Sequence, residues 1–326
     1  MHSLLASAAF AFHCNNIVLE PRKDLTWEKN TWVSREIEPG IDWVDVVPSW
    51  DVEGSEQGGS IEVLVERQGK RLSFGSWSLA ERSSLKDQAS EIGKVYTDTF
   101  VPAEPGGKVR FLVQMKAGKD GALPRLRWLR LAFSGGPAPL DDWRGPEPIA
   151  PLGVPLRAQG DYPGGNVLCS PTSVSMVLNY WANQLGKPLL DADVPEVQAC
   201  VTDPAWGGTG NWSFNTAFAT TRPGLSAYVA RLRDVSAIED WLNKGVPVVA
   251  SVSYGLLKGK PERDENDGHL VVVVGVDSDG NFIFNDPGKK PIRLVYDRES
   301  FQRAWAVSNH TAYLIHPQYW DVPVLP

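Results

Sequence analysis

GGNVLCSPTSVSMVLNYW, Gly164 to Trp181, sets a cysteine between a glycine-rich loop and an apolar run of helical period. Val174, Val177, Leu178 and Trp181 recur at i, i+3, i+4 and i+7, so the spacing predicts an amphipathic helix over Pro171 to Gln184. Pro171 fits a first helical turn, where a missing N–H costs nothing. Cys169 then stands at the helix N-terminus, beside unpaired backbone N–H groups and the positive end of the macrodipole. Both favour the thiolate, the nucleophilic form of a group otherwise mostly protonated at neutral pH. The bland alternative is a small residue at a helix entrance, and a base within reach decides between the two.

Of the five His, His2 and His13 lie in the N-terminal tail, and His310 and His316 flank a late strand. His269 follows the polar loop ERDENDG and opens the apolar run LVVVVGV, so a buried strand would hold it rigidly. NFIFNDP places Asp286 at the end of the next strand, where a carboxylate can orient an imidazole. A four-residue turn at DSDG, Asp277 to Gly280, would pair Val271 with Asp286 and leave His269 a diagonal neighbour, roughly 7–8 Å away on the same face. A one-residue slip would part the two side chains. Gln159, in RAQGDYPGGN, offers a side-chain amide to an oxyanion. The glycines of GGTGNW, Gly207 to Trp212, would let a substrate backbone approach, which makes Gly208, Gly210, Asn211 and Trp212 candidate binding residues.

Around this stretch the second half reads as α+β. A further helix is expected over Val235 to Asn243, and GVPVVASVSY, HLVVVVGVD, NFIFND and TAYLIHP read as strands of a mainly antiparallel sheet. The first half differs in period. VDVVPSWDV, SIEVLVERQ, RLSFGSWSL, KVYTDTFV, KVRFLVQMK and LRWLRLAF alternate apolar and polar residues between turn signals, the pattern of an all-β, jelly-roll-like sandwich over 1–134. Its Trp43, Trp50, Trp77 and Trp128 read as core rather than as a sugar platform. Residues 135–155 are rich in Pro and Gly and read as a linker, so few contacts are expected across it and the half after Pro151 is expected to fold alone.

Composition excludes several classes. A chain of 326 residues, 42% hydrophobic and 22% charged, suits about two globular domains. No run approaches the roughly eighteen apolar residues of a membrane-crossing helix, so no transmembrane segment is expected. A net charge of −7 with no Lys/Arg block makes nucleic acid a poor partner. MHSLLASAAFAFHC resembles a secretory leader in its apolar, small residues but lacks the cationic start, and reads as atypical or trimmed. Three Cys are too few for a disulfide framework and leave at least one free thiol; Cys200 reads as a buried small hydrophobe. One well-placed His and unclustered Cys argue against zinc, and DSDGN lacks the later Glu of a calcium loop, so no metal or cofactor is expected.

YPGGNVLCSPTSVSMVLNYW, WGGTGNWSFNTAFA, GHLVVVVGVDSDGNFIFNDP and VYDRESFQRAW, in that order, resemble the bacterial C39-like cysteine peptidases from about Leu156 to Pro317. The first half resembles the N-terminal domain often fused to them, through SW at Trp50, GSW at Trp77 and TDT at Asp98. The resemblance implies a papain-like fold over 156–326, with Cys169 as nucleophile, His269 as base, Asp286 as third member and Gln159 as oxyanion donor. Ser170 departs from the bacteriocin-processing branch, which usually has Gly after its Cys, so cleavage after a double-glycine leader is not expected. The reading is a bacterial, extracellular or cell-surface cysteine peptidase acting on peptide or protein. Its rivals are a peptidoglycan stem-peptide amidase with a wall-binding sandwich, and a binding protein that keeps the fold without turnover.

Overall fold

Alternation along single strands builds the first half of the chain. In the computed structural model, which describes residues 10–54, 58–86, 88–139 and 147–326, two six-stranded antiparallel sheets face each other. One has the order β1 (Phe10–Leu19), β12 (Arg125–Pro139), β4 (Asp45–Glu53), β10 (Thr99–Pro102), β9 (Gly93–Tyr96), β8 (Gln88–Ser90). The other runs β2 (Leu25–Glu28), β3 (Thr31–Ser34), β11 (Arg110–Lys116), β5 (Ser60–Arg67), β6 (Lys70–Trp77), β7 (Arg82–Ser83). Ile61, Val63 and Val65 point into a core that fully buries Trp43, Trp50, Trp77, Phe100, Phe111 and Phe133. Trp128 alone of the four named Trp stays partly exposed, its ring edge-on to Tyr228. KVYTDTFV, expected as one strand, is a hairpin of β9 and β10 with Thr97 at positive φ in the turn. The apolar N-terminal stretch is a strand from Phe10 onward, paired with β12; residues 1–9 of the leader-like stretch lie outside the described residues.

The second half is one antiparallel sheet, β13 (Leu225–Arg231), β18 (Thr311–Pro317), β14 (Val248–Ser253), β15 (Gly268–Val276), β16 (Phe282–Asn285), β17 (Arg293–Tyr296). Six helices accompany it: α1 (Cys169–Leu185), α2 (Val194–Val201), α3 (Trp212–Thr220), α4 (Val235–Asn243), α5 (Tyr254–Leu257) and α6 (Arg298–Ala306). α1 carries no charged residue and is buried almost all round, not on one face as its apolar period suggested. Its other faces carry hydroxyls that reach fixed partners: Ser173 Oγ donates to the Leu270 carbonyl (3.2 Å), Ser175 Oγ to that of Ala192 (2.6 Å), and Ser170 Oγ shares a hydrogen bond with Tyr313 (3.0 Å). Small hydroxyl side chains let a helix sit deep with few stranded polar atoms, here Thr172 Oγ1, which is buried without a partner among the described residues.

The two halves are joined by a common interior. Eight of the nine residues of β4 are buried, so that Trp50 and Val52 face the sandwich core while Val47 packs into the core of the second half. In return Phe214 and Ala217 of α3 belong to the sandwich core. Arg231, 1% exposed, holds Asp45 at 2.7 Å, and Asn309 donates to the second oxygen of the same carboxylate. Ser213 Oγ donates to the Pro48 carbonyl at 2.6 Å. Nor is the Pro/Gly-rich stretch free chain where it is described. β12 continues through it to Pro139, and beyond 140–146, which lie outside the described residues, Ile149 bridges Val276 and the Leu152 N–H donates to Val274. Gly275 is required there, because a Cβ would stand 2.7 Å from the Ile149 carbonyl.

The expectation of few cross-contacts is therefore corrected. A chain starting near Pro151 is expected to be insoluble or to lack fixed packing, since it exposes Phe214 and leaves Arg231 buried without its carboxylate; size-exclusion chromatography and near-ultraviolet circular dichroism check this. In the full chain, Asp45→Ala is expected to cost about 3–5 kcal/mol in urea denaturation, the scale for breaking a buried ion pair from one side.

Candidate active site

The thiol is placed by a loop with little freedom. Gly164 takes φ 74°, and Gly165 packs against the Gln159 carbonyl, 2.2 Å from where a Cβ would sit. The chain then enters α1 through Leu168, which provides no side-chain cap, so no side chain competes for the N–H groups around Cys169. Thr209 Oγ1 donates to the Val167 carbonyl at 2.6 Å, tying the GGTGNW loop to the same entrance.

His269 is fixed by β15, where it pairs with Val252 of β14 and is 5% exposed. Asp286 follows the last residue of β16 and is fully buried. Val272 pairs with Asn285 and Val273 with Phe284, the register that sets Val271 opposite Asp286. The route differs from the one expected. The loop runs from Asp277 to Asn281, one residue longer, with Val276 opposite Phe282, and a bulge between Val273 and Gly275 restores the pairing. Without that bulge the extra loop residue would turn the imidazole and the carboxylate to opposite faces.

His269 Nε2 lies 2.7 Å from Asp286 Oδ1. The Gly288 N–H donates to the same oxygen at 2.8 Å and the Tyr296 hydroxyl to Oδ2 at 2.5 Å. The Cys169 thiol and the His269 imidazole are close enough for the pair to lower the thiol and raise the ring; with Nε2 engaged by Asp286, Nδ1 is the nitrogen left for sulfur. The Tyr254 ring covers the imidazole at 4.4 Å between centroids.

Charge follows from these contacts. Burial alone would raise the Cys169 thiol, but the hydrogen bond and charge of His269, with the Leu270 and Ser170 N–H groups, bring it below its ordinary range. Burial pulls His269 down, yet hydrogen bonds to Asp286 and Cys169 outweigh it and raise the imidazole to about 9. Burial likewise works against the Asp286 carboxylate, and His269, Tyr296 and Gly288 hold it below its ordinary value. The three side chains thus favour a thiolate, an imidazolium and a carboxylate in a row.

The other histidines do not share this environment. Burial pushes His310 and His316 down to about 4; His310 stacks on Trp305, and His316 lies 3.2 Å from the Tyr228 hydroxyl. Burial raises Cys14 to about 11 and raises Cys200 as well, and Cys200 is only partly buried. Gln159 lies on the loop beside the thiol's entrance, its N–H bonded to the Pro287 carbonyl at 2.9 Å, so one backbone bond links it to the turn that holds Asp286. Asn211 is buried and caps α3 through the Phe214 N–H, and the Trp212 N–H donates to Asp98 of the sandwich. Gly208 and Gly210 lie under the half-exposed Trp206 ring. Tyr254, Gly288 and Tyr296 are the neighbours that the sequence reading missed; only nearness in sequence to His269 or Asp286 marks any of them. A polar cavity of about 830 Å³ is lined by sandwich residues alone, Glu62 and Gln114 among them, and takes no part in this arrangement.

Residues 151–313 match the Peptidase_C39 like family, half of the chain. The protein belongs to that family. Residues 13–134 match the Peptidase C39 N-terminal domain, so both halves of this C39-like chain have a counterpart. No curated protein matches. Among solved structures, a Bacillus anthracis protein described as a C39-like peptidase is similar at 17% identity, over 53% of this chain and 98% of its own, with a TM-score of 0.42.

With a lowered thiol, Cys169 is expected to react with iodoacetamide well below the ordinary thiol pKa of about 8.5, while Cys14 and Cys200 lag; mass spectrometry of labelled peptides across pH reads this directly. Since the reactive pair exists above the thiol pKa and below that of the imidazolium, its alkaline limb is expected near pH 9. Asp286→Asn removes a charge and a charge-assisted hydrogen bond that raise His269, so that limb is expected to move to lower pH.

Proposed function

We propose that this C39-like protein is a cysteine peptidase, cleaving peptide-type bonds through Cys169, His269 and Asp286. The observation that carries the reading is the buried His269–Asp286 hydrogen bond of 2.7 Å, with the Cys169 thiol interacting with the same imidazole. The thiolate attacks the carbonyl carbon, and the oxyanion is met by the Cys169 N–H at the start of α1 and by the Gln159 carboxamide. The imidazolium gives its proton to the departing amine; the neutral imidazole then takes a proton from water, which hydrolyses the acyl thioester and returns the thiolate beside an imidazolium. Asp286 keeps the ring oriented and stabilises its charged form.

The substrate is a peptide or protein, and the reading requires neither cofactor nor metal. No helix among the described residues is long and apolar enough to cross a membrane, which is compatible with action outside the cell. The intact row favours an enzyme over a binding protein that has lost turnover. The shared interior favours a sandwich that forms part of the enzyme's body over a detachable wall-targeting module.

Quenched fluorescent peptide pools and peptidoglycan fragments incubated with the full chain test the reading. Cys169→Ala is expected to reduce cleavage to background while the circular dichroism spectrum is retained, and persistent cleavage by that variant would sink the assignment. Asp286→Asn is expected to lower kcat by roughly tenfold or more with KM little changed, because it disturbs the base and not the substrate contacts.

A further inference from the structure

The ring that covers the imidazole is itself flanked by two cations. Lys258 Nζ lies 3.9 Å and Lys289 Nζ 5.9 Å from the centroid of the Tyr254 ring, and both side chains are exposed. Their backbones are anchored close to the row. The Lys258 N–H closes α5 on the Tyr254 carbonyl at 3.2 Å, and the Lys289 N–H donates to the Asp286 carbonyl at 3.2 Å. Nearby lysines are matched by carboxylates, Lys260 by Asp264 at 2.6 Å and Lys290 by Asp161 at 2.5 Å. Lys258 and Lys289 have no carboxylate within ion-pair distance among the described residues. A chain of net charge −7 thus keeps two ammonium groups without an ion-pair carboxylate among the described residues at the ring that covers His269.

The chemistry says which part of a substrate meets them. The departing amine takes its proton from His269, so it must come within hydrogen-bond reach of that ring, and the residue that carries it lies on the Tyr254 side. We propose that Lys258 and Lys289 bind a carboxylate on the leaving-amine half of the substrate, making acidic peptides the preferred class. The proposal rests on the roles given above to Cys169 and His269. The carboxylate has two possible sources, an Asp or Glu side chain just after the scissile bond or the α-carboxylate of a single departing amino acid. Exposed ion pairs of this kind are weak, each worth about a two- to fivefold preference, and salt screens them.

Matched peptides with Glu, Gln or Lys after the scissile bond, each with a free or amidated C-terminus one residue further and at a distant position, are compared by kcat/KM on wild type, Lys258→Gln, Lys289→Gln and the double variant. The expected result is a Glu-over-Gln or acid-over-amide preference that drops two- to fivefold per substitution and fades in 0.5 M salt; which pair shows it identifies the source. No preference in wild type, or an equal one in the double variant, overturns the proposal. The same contrast is read without turnover as the ratio of iodoacetate to iodoacetamide reaction rates at Cys169, expected to fall at least about twofold in the double variant; an unchanged ratio overturns it. Peptides left uncut while that ratio falls would count against the peptidase reading and leave the carboxylate site standing.

Discussion

The hydrogen bond from His269 to Asp286 is the constraint on which the chemistry depends, and it is a consequence of strand register. Two adjacent strands bring an imidazole and a carboxylate together only when both side chains leave the ladder on the same face. The Asp277–Asn281 loop adds one residue to the hairpin, and the bulge at Val274 takes it back. Asp286 is buried with three donors around it, His269, Tyr296 and Gly288, so the carboxylate stays charged without solvent and can keep the imidazole charged in turn.

The second requirement is that sulfur meets the free nitrogen of that ring, and this falls to α1. A helix whose first residue is the proposed nucleophile must be held at its start, yet Leu168 gives it no capping side chain. Tertiary contacts do the holding: Ser173 bonds to the carbonyl of Leu270, the residue after His269, and Ser170 to Tyr313 on β18. Thiol and imidazole are thereby referenced to the same strand and to its neighbours in the sheet.

The sandwich enters this arrangement through α3 and β13. Asp45 neutralises buried Arg231, Asp98 accepts the first N–H of α3, and Phe214 crosses into the sandwich core. With carboxylates and aromatics exchanged in this way, neither half has a complete interior by itself. A short Pro/Gly segment between two domains is then compatible with a rigid pair, because rigidity comes from the buried area and not from the connection.

Much of this was legible from local patterns. Strand alternation marked the sandwich, helical period marked α1 and α4, and a cysteine at a helix start with a histidine at a strand mouth marked the two groups proposed to react. These signals survive in sequence because they depend on period and on neighbours a few residues away. α3 was not legible: WSFNTAFAT is enclosed by both halves, so it has no polar face and hence no period. In the same stretch Asn211 caps α3 through Phe214, three residues on, whereas the Trp212 contact with Asp98 joins residues far apart in the chain and left no local signal. The meeting of His269 with Asp286 stood between the two cases, since alternation specifies which residues share a face but not where a bulge falls. The sequence by itself determined most of the elements and the candidate residues they carry; α3, register, the shared core and the side chains around Asp286 were decided by tertiary structure, because burial and close approach depend on partners that local sequence does not name.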